Sequence, residues 1–285
     1  MDISQAKTFL SVAECGSFVD AGRRLNITQS TVSSRIKTLE LQLGRTLFER
    51  SKAGASLTPA GEQFLRHAEG MVRIWEHARL EIALPEGYAA AYTVGGQYSL
   101  WDGYMLDWLS RMRSEFPDVA IKAQMGFSDT LMDQIIGGTL DLGVMYTPQR
   151  RSGIEVEPLF EDELILVTPE LNATGKPDRS YVLIDWGPEF LADHARSFPE
   201  ISLPGTHLEI GSLSLQYLIN TSSSGYVPKR LAAEYVESGQ LVHETRAPVF
   251  SYPAFAVYPA DTEGDFTEKM LRELRRLANL VNKMA

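Results

Sequence analysis

The chain has 285 residues, of which 44% are hydrophobic and 22% are charged. This length exceeds that of one ordinary domain, and this balance excludes a disordered chain and predicts two or three globular units. Because there is no run of about 18 apolar residues and the first residues form a charged amphipathic pattern, we expect no membrane span and no secretory signal. These features predict a cytoplasmic location.

The net charge of −10 is distributed unevenly along the chain. Residues 1 to 60 contain eight basic and five acidic residues, which gives +3, whereas residues 61 to 90 carry −2 and the remainder carries −11. An acidic majority disfavours nonspecific binding to nucleic acid. The positive first segment therefore predicts a nucleic-acid-binding end that is separate from an acidic sensing portion.

The segment before Gly44 has the pattern of a helix-turn-helix. Helical spacing of apolar residues predicts a first helix that ends at Gly16, and Ser17 is expected to cap a second helix. Gly22, inside that second helix, should cost about 1 kcal/mol relative to alanine. Thr28 is expected to cap the third helix. The predicted buried stripe of the third helix is Val32, Ile36, Leu39 and Leu43.

The opposite face of the third helix carries small hydroxyl side chains, a glutamine and a lysine. Such a face can enter the major groove, where glutamine recognises adenine and serine or threonine contacts several base edges. An ordinary hydrated face is the alternative. A strand-like hairpin at residues 47–58 adds basic side chains that can contact phosphates. The predicted DNA-binding residues are Ser17, Thr28, Gln29, Ser30, Thr31, Ser33, Ser34, Arg35, Lys37, Arg50 and Lys52.

Several strings of this segment carry a family resemblance. They are Thr8-Phe9-Leu10-Ser11-Val12-Ala13, Gly16-Ser17-Phe18, Gln29-Ser30, Val32-Ser33, Leu39-Glu40, Leu43-Gly44, Leu47-Phe48-Glu49-Arg50 and Leu57-Thr58-Pro59-Ala60-Gly61. Together they resemble the N-terminal domain of the LysR-type transcriptional regulators. Two positions depart from that pattern: Gly22 replaces the usual alanine, and Ser34-Arg35 replaces an Arg-Gln pair, so a phosphate contact is lost or moves to Arg35.

A long helix is predicted from Pro59 to a point before Pro85, because proline is favoured at the first helical position. Its apolar residues recur at spacings of four and three, as in a coiled coil. Packing on its own DNA-binding domain is the alternative. The resemblance implies that the helix pairs two copies and that dimers assemble into tetramers. The predicted dimerisation residues are Phe64, Ala68, Met71, Trp75, Ala78 and Ile82.

From residue 91 onward, strands alternate with helices, which predicts a parallel sheet. The predicted elements include a helix from Leu100 to Phe116, a strand at 164–168 and a last helix from Phe266 to Val281. The predicted strands and helices form two lobes that resemble periplasmic binding proteins, as LysR-type effector domains do. We therefore expect an α/β protein with a winged helix-turn-helix at 1–58, a linker helix and hinge at 59–90, and an effector-binding domain at 91–285. Lobe I is expected to contain 91–161 and 252–285, and lobe II to contain 162–251.

A small-molecule effector is expected in the cleft between the lobes, where strands end at helix N-termini. Free backbone N–H groups at such termini attract anions, so the effector is expected to be anionic. Plain helix caps and core tryptophans are the alternatives for individual residues. The predicted effector-binding residues are Ser99, Leu100, Trp101, Phe127, Ser128, Tyr146, Trp186 and Ser223.

Catalytic and metal-binding motifs are missing from the sequence. It has no G-x-x-x-x-G-K-[ST], G-x-S-x-G or H-E-x-x-H string, and its five histidines lack ligand spacing. We therefore expect no enzyme activity, no cofactor and no metal. The expected partners are double-stranded DNA, further copies of the chain and a small effector, with RNA polymerase as a further candidate. The tryptophan-containing strings Leu100-Trp101, Trp108-Leu109 and Trp186-Gly187-Pro188-Glu189-Phe190 resemble the enterobacterial branch that regulates the flagellar master operon.

Overall fold

The computed structural model describes residues 2–51, 54–82, 84, 86–170, 175–177, 179–201, 205–260 and 265–284. These residues form an N-terminal helical domain with a hairpin, one long helix and a C-terminal α/β domain. The predicted α/β class is therefore confirmed. Among the described helices, none is both long enough and apolar enough to cross a bilayer.

Local capping fixes the ends of the N-terminal helices. Asp2 accepts the backbone N–H of Gln5, and the Gln5 side chain accepts the N–H of Asp2, so a capping box begins the first helix. Gly16 and Gly44 end the first and third helices in the left-handed conformation. The elements are α1 (Ile3–Cys15), α2 (Phe18–Arg24), α3 (Gln29–Leu43), β1 (Phe48–Ser51) and β2 (Gly54–Leu57).

An apolar core joins these helices to the hairpin. The ring of Phe9 lies 5.2 Å from that of Phe48, between centroids. Three residues of the predicted α3 stripe are fully buried in this core, namely Val32, Ile36 and Leu39. Leu43 differs from the prediction, because 42% of its surface is exposed at the last residue of α3.

The turn between α2 and α3 lies directly against Gly22. The N–H of Ile27 donates to the carbonyl of Gly22 at 2.9 Å. A Cβ on Gly22 would lie 2.9 Å from the carbonyl oxygen of Ile27, which is closer than van der Waals contact allows. Glycine thus lets the turn close onto the helix, which accounts for its presence despite its low helix propensity.

The long helix is α4 (Pro59–Ile82), which begins where predicted. The hydroxyl of Thr58 accepts the N–H of Gly61 at 3.1 Å and donates to the carbonyl of Thr46. The part of α4 up to Val72 packs on the N-terminal domain, where Ala68 and Val72 are buried. An ion pair between Lys7 and Glu76 adds a polar contact to α1.

The C-terminal domain is built on a mixed sheet. Among the described residues its seven strands are β3 (Ala90–Gly96), β4 (Val119–Met125), β5 (Leu142–Met145), β6 (Ile154–Thr168), β9 (Gly225–Pro228), β10 (Val242–His243) and β11 (Phe250–Pro259). Their order in the sheet is β10-β6-β11-β5-β3-β4, and β9 pairs with β6. Strands β7 (Leu183–Ile184) and β8 (His207–Leu208) form a separate parallel pair.

The helices of this domain are α5 (Tyr98–Leu100), α6 (Leu106–Glu115), α7 (Ser128–Ile136), α8 (Pro188–Ser197), α9 (Leu213–Thr221), α10 (Lys229–Glu237) and α11 (Asp265–Met284). A π-helical turn, Trp101–Met105, separates α5 from α6. The last helix, α11, packs against this turn and α6, since the Tyr104 hydroxyl donates to the carbonyl of Leu274 at 2.7 Å and the Trp108 indole to that of Met270 at 3.1 Å.

Two long strands join the two parts of the C-terminal domain. We call the part with β3, β4 and β5 lobe I and the part with β9 and β10 lobe II. β6 and β11 pair antiparallel from Phe250 opposite Leu164 to Pro259 opposite Ile154, with a register shift between Ala254 and Phe255. One end of this ribbon continues into the lobe I strands β5, β3 and β4, and the other pairs with β9 and β10 of lobe II. The two chain segments that join the lobes are therefore neighbouring strands of one sheet.

Three features differ from the sequence prediction. The single helix expected from Leu100 to Phe116 is kinked, because Asp102 and Gly103 leave helical geometry and Gly103 adopts a φ of +79°. β6 begins ten residues before the strand predicted at 164–168. Helices α8 and α10 were not predicted.

Candidate functional site

The N-terminus of α3 is organised by the hydroxyl of Thr28. This hydroxyl accepts the N–H of Thr31 at 3.2 Å and lies 2.8 Å from the hydroxyls of Ser30 and Thr31. Ser17 has the same role on α2, where it accepts the N–H of Asp20 at 3.3 Å. Both residues are thus helix caps at the start of the two helices of the motif.

Beyond this cap, α3 presents a polar face to solvent. Gln29, Ser30, Ser34 and Lys37 are exposed, and the side chain of Gln29 donates to Ser33 at 3.3 Å. Thr31 and Ser33 are half-buried on the flanks of the buried stripe, as their spacing predicts. The face consists of short side chains, so backbone and side-chain atoms of α3 could approach base edges closely.

The basic residues near this face are not equivalent. Arg35 is half-buried and donates from Nη1 to the hydroxyl of Thr8 at 3.2 Å, so it is docked on α1. Arg45 is exposed in the turn after α3. Arg50 lies in β1, whereas Lys52 lies outside the described residues.

The predicted dimerisation residues on α4 fall into two groups. Phe64 and Ala68 contact the N-terminal core, and the Phe64 ring lies 5.0 Å from that of Phe9, so this end of the helix packs within its own chain. Trp75 and Ile82 are 46% and 86% exposed, and the neighbouring Ile74 is also exposed. Periodicity alone did not distinguish the two parts, because it identifies an apolar face without identifying what covers it.

In the C-terminal domain, several predicted effector residues lie at strand ends of lobe I. Ser99 and Ser128 are buried, and Ser128 accepts a hydrogen bond from Thr147 at 3.2 Å. The Trp101 indole donates to the carbonyl of Gln124 at 3.0 Å. Phe127 is 74% exposed. Leu100 is fully buried in the main core, where its side chain has a packing role.

Tyr146 is the centre of a stacked aromatic group. Its ring centroid lies 3.7 Å from that of Tyr252, with 16° between the planes, and the centroids of the Trp186 and Tyr252 rings lie 5.9 Å apart in a T-shaped arrangement. The Trp186 indole donates to the carbonyl of Tyr226 at 2.7 Å, and its side chain is buried. Trp186 therefore belongs to the lobe II core as well as to the aromatic group.

A buried ion pair lies beside Tyr146 and was not predicted from the sequence. Asp162 on β6 is 4% exposed, and one of its oxygens lies 3.4 Å from Nε of Arg230 on α10. The Tyr146 hydroxyl donates to the same oxygen at 3.2 Å. Burial raises the pKa of Asp162, and the positive charge of Arg230 opposes that shift. Burial likewise raises the pKa of Tyr146.

Arg230 also links the two lobes. From α10 of lobe II it donates to the carbonyls of Ser99 and Asp102 in lobe I, each at 2.7 Å. A third contact, at 3.3 Å, joins it to the Tyr146 hydroxyl. The sequence did contain a signal for this residue, since Pro228 ends a strand and apolar residues recur from Leu231 at helical spacing.

Ser223 lies apart from this ion pair. It follows α9 and its hydroxyl lies 2.8 Å from that of Thr221. The structure thus brings Ser99, Tyr146 and Trp186 to one region through Arg230 and Tyr252. A different group, Asp185, His207 and Glu209, could hold a metal ion, although the histidine spacing predicted none.

Comparisons with known proteins concern the same two parts of the chain. Residues 3–62 match the bacterial regulatory helix-turn-helix protein model of the LysR family, and residues 86–180 match the LysR substrate binding domain. The HTH-type transcriptional regulator HdfR of Yersinia enterocolitica is 28% identical, in an alignment that covers 96% of this chain and 95% of that protein. The fold and the helix-turn-helix thus define a DNA-binding transcriptional regulator. The chain belongs to the LysR family.

Two solved structures share the fold over nearly the whole chain. ArgP from Mycobacterium tuberculosis has a TM-score of 0.60 at 22% identity, covering 98% of this chain and 97% of that one. LysG from Corynebacterium glutamicum, solved with the bound effector Arg, has a TM-score of 0.60 at 19% identity, covering 98% and 99%. The related proteins are transcriptional regulators rather than enzymes.

Proposed function

We propose that this chain regulates transcription by inserting α3 into the major groove of specific DNA sites. The observation that carries this proposal is the exposed face of Gln29, Ser30, Ser34 and Lys37, which is built on a capped and well-packed helix. Arg45 and the hairpin next to it would neutralise phosphates and orient the helix. Arg35 contributes less to phosphate binding, because its guanidinium already contacts Thr8.

The chain acts as a dimer or tetramer on spaced half-sites. Support comes from the C-terminal half of α4, where Trp75 and Ile82 expose apolar surface that a second copy would cover. Two copies also multiply the specificity of a single helix for its half-site. Phe64 and Ala68 are excluded from this interface in the proposal, because the N-terminal core already covers them.

A small anionic effector acts at the cleft. Arg230 supports this, since its guanidinium donates to two backbone carbonyls of lobe I that a carboxylate or phosphate would replace as acceptor. Such an exchange would release both of these contacts between the lobes. Effector control then follows if the two lobe arrangements favour different spacings of the paired α3 helices.

The remaining assignments complete the proposal. The linker and hinge extend over 59–90, and the lobes meet near residues 161 and 252, where β6 and β11 cross. The protein works in the cytoplasm, associated with the nucleoid, and RNA polymerase is a further candidate partner. The resemblance to regulators of the flagellar master operon stays a prediction.

The test of DNA recognition uses purified full-length protein and a fragment of its own promoter region at low salt. We expect a retarded complex, and the double variant Ser30→Ala/Ser33→Ala should weaken specific binding by about 1 to 3 kcal/mol for each lost base contact. The matched control is Ser110→Ala/Ser114→Ala, since both serines are exposed on α6, which belongs to the C-terminal domain.

Two results would contradict this proposal. If the wild-type protein retards no fragment of that region, the proposal that this chain regulates transcription by binding DNA through α3 is wrong. An unchanged footprint and affinity for the Ser30→Ala/Ser33→Ala variant, equal to those of the control, would reject this face as the recognition surface.

A further inference from the structure

A compact set of metal-ligand side chains lies on lobe II, at the end of the small β7–β8 sheet. The two strands pair in parallel, with Leu183 opposite His207, and the N–H of Asp185 donates to the carbonyl of Leu208 at 2.8 Å. Side chains alternate along a strand, so His207 and Glu209 share one face. The pairing places Asp185 beside them.

The donor atoms are close enough to share one ion. One ligand atom from each of Asp185, His207 and Glu209 lies within 4.8 Å of the other two. Metal–ligand bonds of about 2.0 to 2.2 Å place two ligands of one ion about 3 to 4.4 Å apart, so binding an ion would draw these side-chain atoms together by about 1 Å. Among the described residues no hydrogen bond or ion pair joins these three side chains, so a shared cation would not have to displace an existing contact between them.

The electrostatics of the group also favour a cation. Two carboxylates at neighbouring positions of adjacent strands repel each other. One oxygen of Asp185 is held by the N–H of Gly187 at 2.7 Å, which orients the carboxylate and leaves its second oxygen available. Support of this kind around a ligand is typical of metal sites.

We propose that Asp185, His207 and Glu209 bind a first-row divalent transition metal such as Zn²⁺. Imidazole favours zinc, iron, copper and nickel, whereas magnesium and calcium favour sites made of oxygen atoms only. Three protein ligands leave at least one coordination position for water or for a donor from another molecule. His207 and Glu209 are exposed, so that position is accessible to solvent.

The site lies near the place where lobe I and lobe II are close to each other. A Cβ on Gly187 would lie 3.7 Å from the side chain of Thr147 in lobe I, and one on Gly211 would lie 4.0 Å from Tyr98. Each of these glycines is two residues from a ligand. The ion would therefore add positive charge to the rim of the cleft, independently of whether α3 binds DNA.

The test is isothermal titration of tag-free, full-length protein with ZnCl₂ and, separately, with MgCl₂. We expect one Zn²⁺ per chain and no comparable binding of Mg²⁺. His207→Gln and Glu209→Gln should each weaken Zn²⁺ binding by about 10-fold or more. His67→Gln and Glu237→Gln are matched controls, because both residues are exposed outside the group, and they should leave the affinity unchanged.

A second measurement separates loss of the metal site from misfolding. The far-UV circular dichroism of each variant should match that of the wild type, and Zn²⁺ should raise the melting temperature of wild type and controls but not of the ligand variants. Absence of Zn²⁺ binding by the wild type overturns the proposal. Equal Zn²⁺ affinity of the ligand variants and the controls overturns it as well.

Discussion

The DNA-binding domain and the cleft are held together by contacts of very different range along the chain. On α3, Thr28 contacts residues two and three positions away. At the cleft, Arg230 contacts the carbonyl of Ser99 across 131 positions. Local contacts follow from helix geometry and caps, whereas distant contacts depend on how the whole sheet is connected. The Arg230 contacts are also buried, whereas those of Thr28 are exposed, so removing a contact of Arg230 should cost more than removing one at the start of α3.

The largest effect is expected for Arg230→Met. This change leaves the buried carboxylate of Asp162 without its guanidinium partner and removes the two contacts to lobe I carbonyls. Loss of one member of a buried ion pair costs about 3 to 5 kcal/mol. The free energy of unfolding, measured in urea, should fall by that amount. Arg111→Met, at an exposed position of α6, is the control and should change it by less than about 0.5 kcal/mol. Equal losses in both variants would remove the distinction between the cleft and the surface.

A second test concerns the helix that connects the two regions. Trp75→Glu places a charge on the exposed apolar half of α4, so sedimentation should show a shift from dimer or tetramer to monomer. Loss of paired binding should reduce the apparent DNA affinity on the order of 100-fold. Gln63→Glu introduces the same charge at an exposed position nearer the N-terminus and should retain the assembly. An unchanged mass for Trp75→Glu would assign this half of α4 to contacts within one chain.

The pH dependence of stability tests the lobe II core. His194 is buried among aromatic rings, its Nε2 lies 2.7 Å from the Tyr181 hydroxyl, and burial lowers its pKa below the ordinary value of 6.5. The unfolded chain therefore binds a proton more readily than the folded chain. Stability from this group is present above pH 6.5 and is lost as the pH falls below it, by at most about 1.4 kcal/mol per pH unit.

Urea unfolding at several pH values below 7 measures this slope. His194→Gln should show a shallower loss of stability on acidification than the wild type, whereas the exposed control His67→Gln should retain the wild-type slope. Identical slopes in all three proteins would show that His194 does not contribute.

The smallest effects are expected in the N-terminal region, for two glycines within helices. Gly70→Ala should raise the free energy of unfolding by about 0.5 to 1 kcal/mol, because a Cβ there meets only the end of the Arg73 side chain at 4.0 Å. Gly22→Ala should give no such gain, because its Cβ would meet the carbonyl of Ile27 at 2.9 Å. An equal gain at both positions would show that the turn can move away from α2 at no cost.

The same difference in range explains what the sequence could predict. The caps Ser17 and Thr28, the α3 stripe up to Leu39 and the start of α4 at Pro59 all follow from local patterns. The ion pair of Asp162 and Arg230 could not be found in this way, because β6 and α10 are adjacent only in the folded sheet. His207 also gave no metal signal in the sequence, since Asp185 is brought to it by the pairing of β7 and β8.

The path of β11 has a practical consequence for exchanging parts between related regulators. Residues 86–180 match the LysR substrate binding domain, but β11 (Phe250–Pro259) lies between β5 and β6 in the sheet. A fragment cut at 180 would lack an interior strand and leave two strand edges unpaired. A chimaera intended to transfer ligand specificity therefore has to exchange the chain from the end of α4 through α11 as one piece.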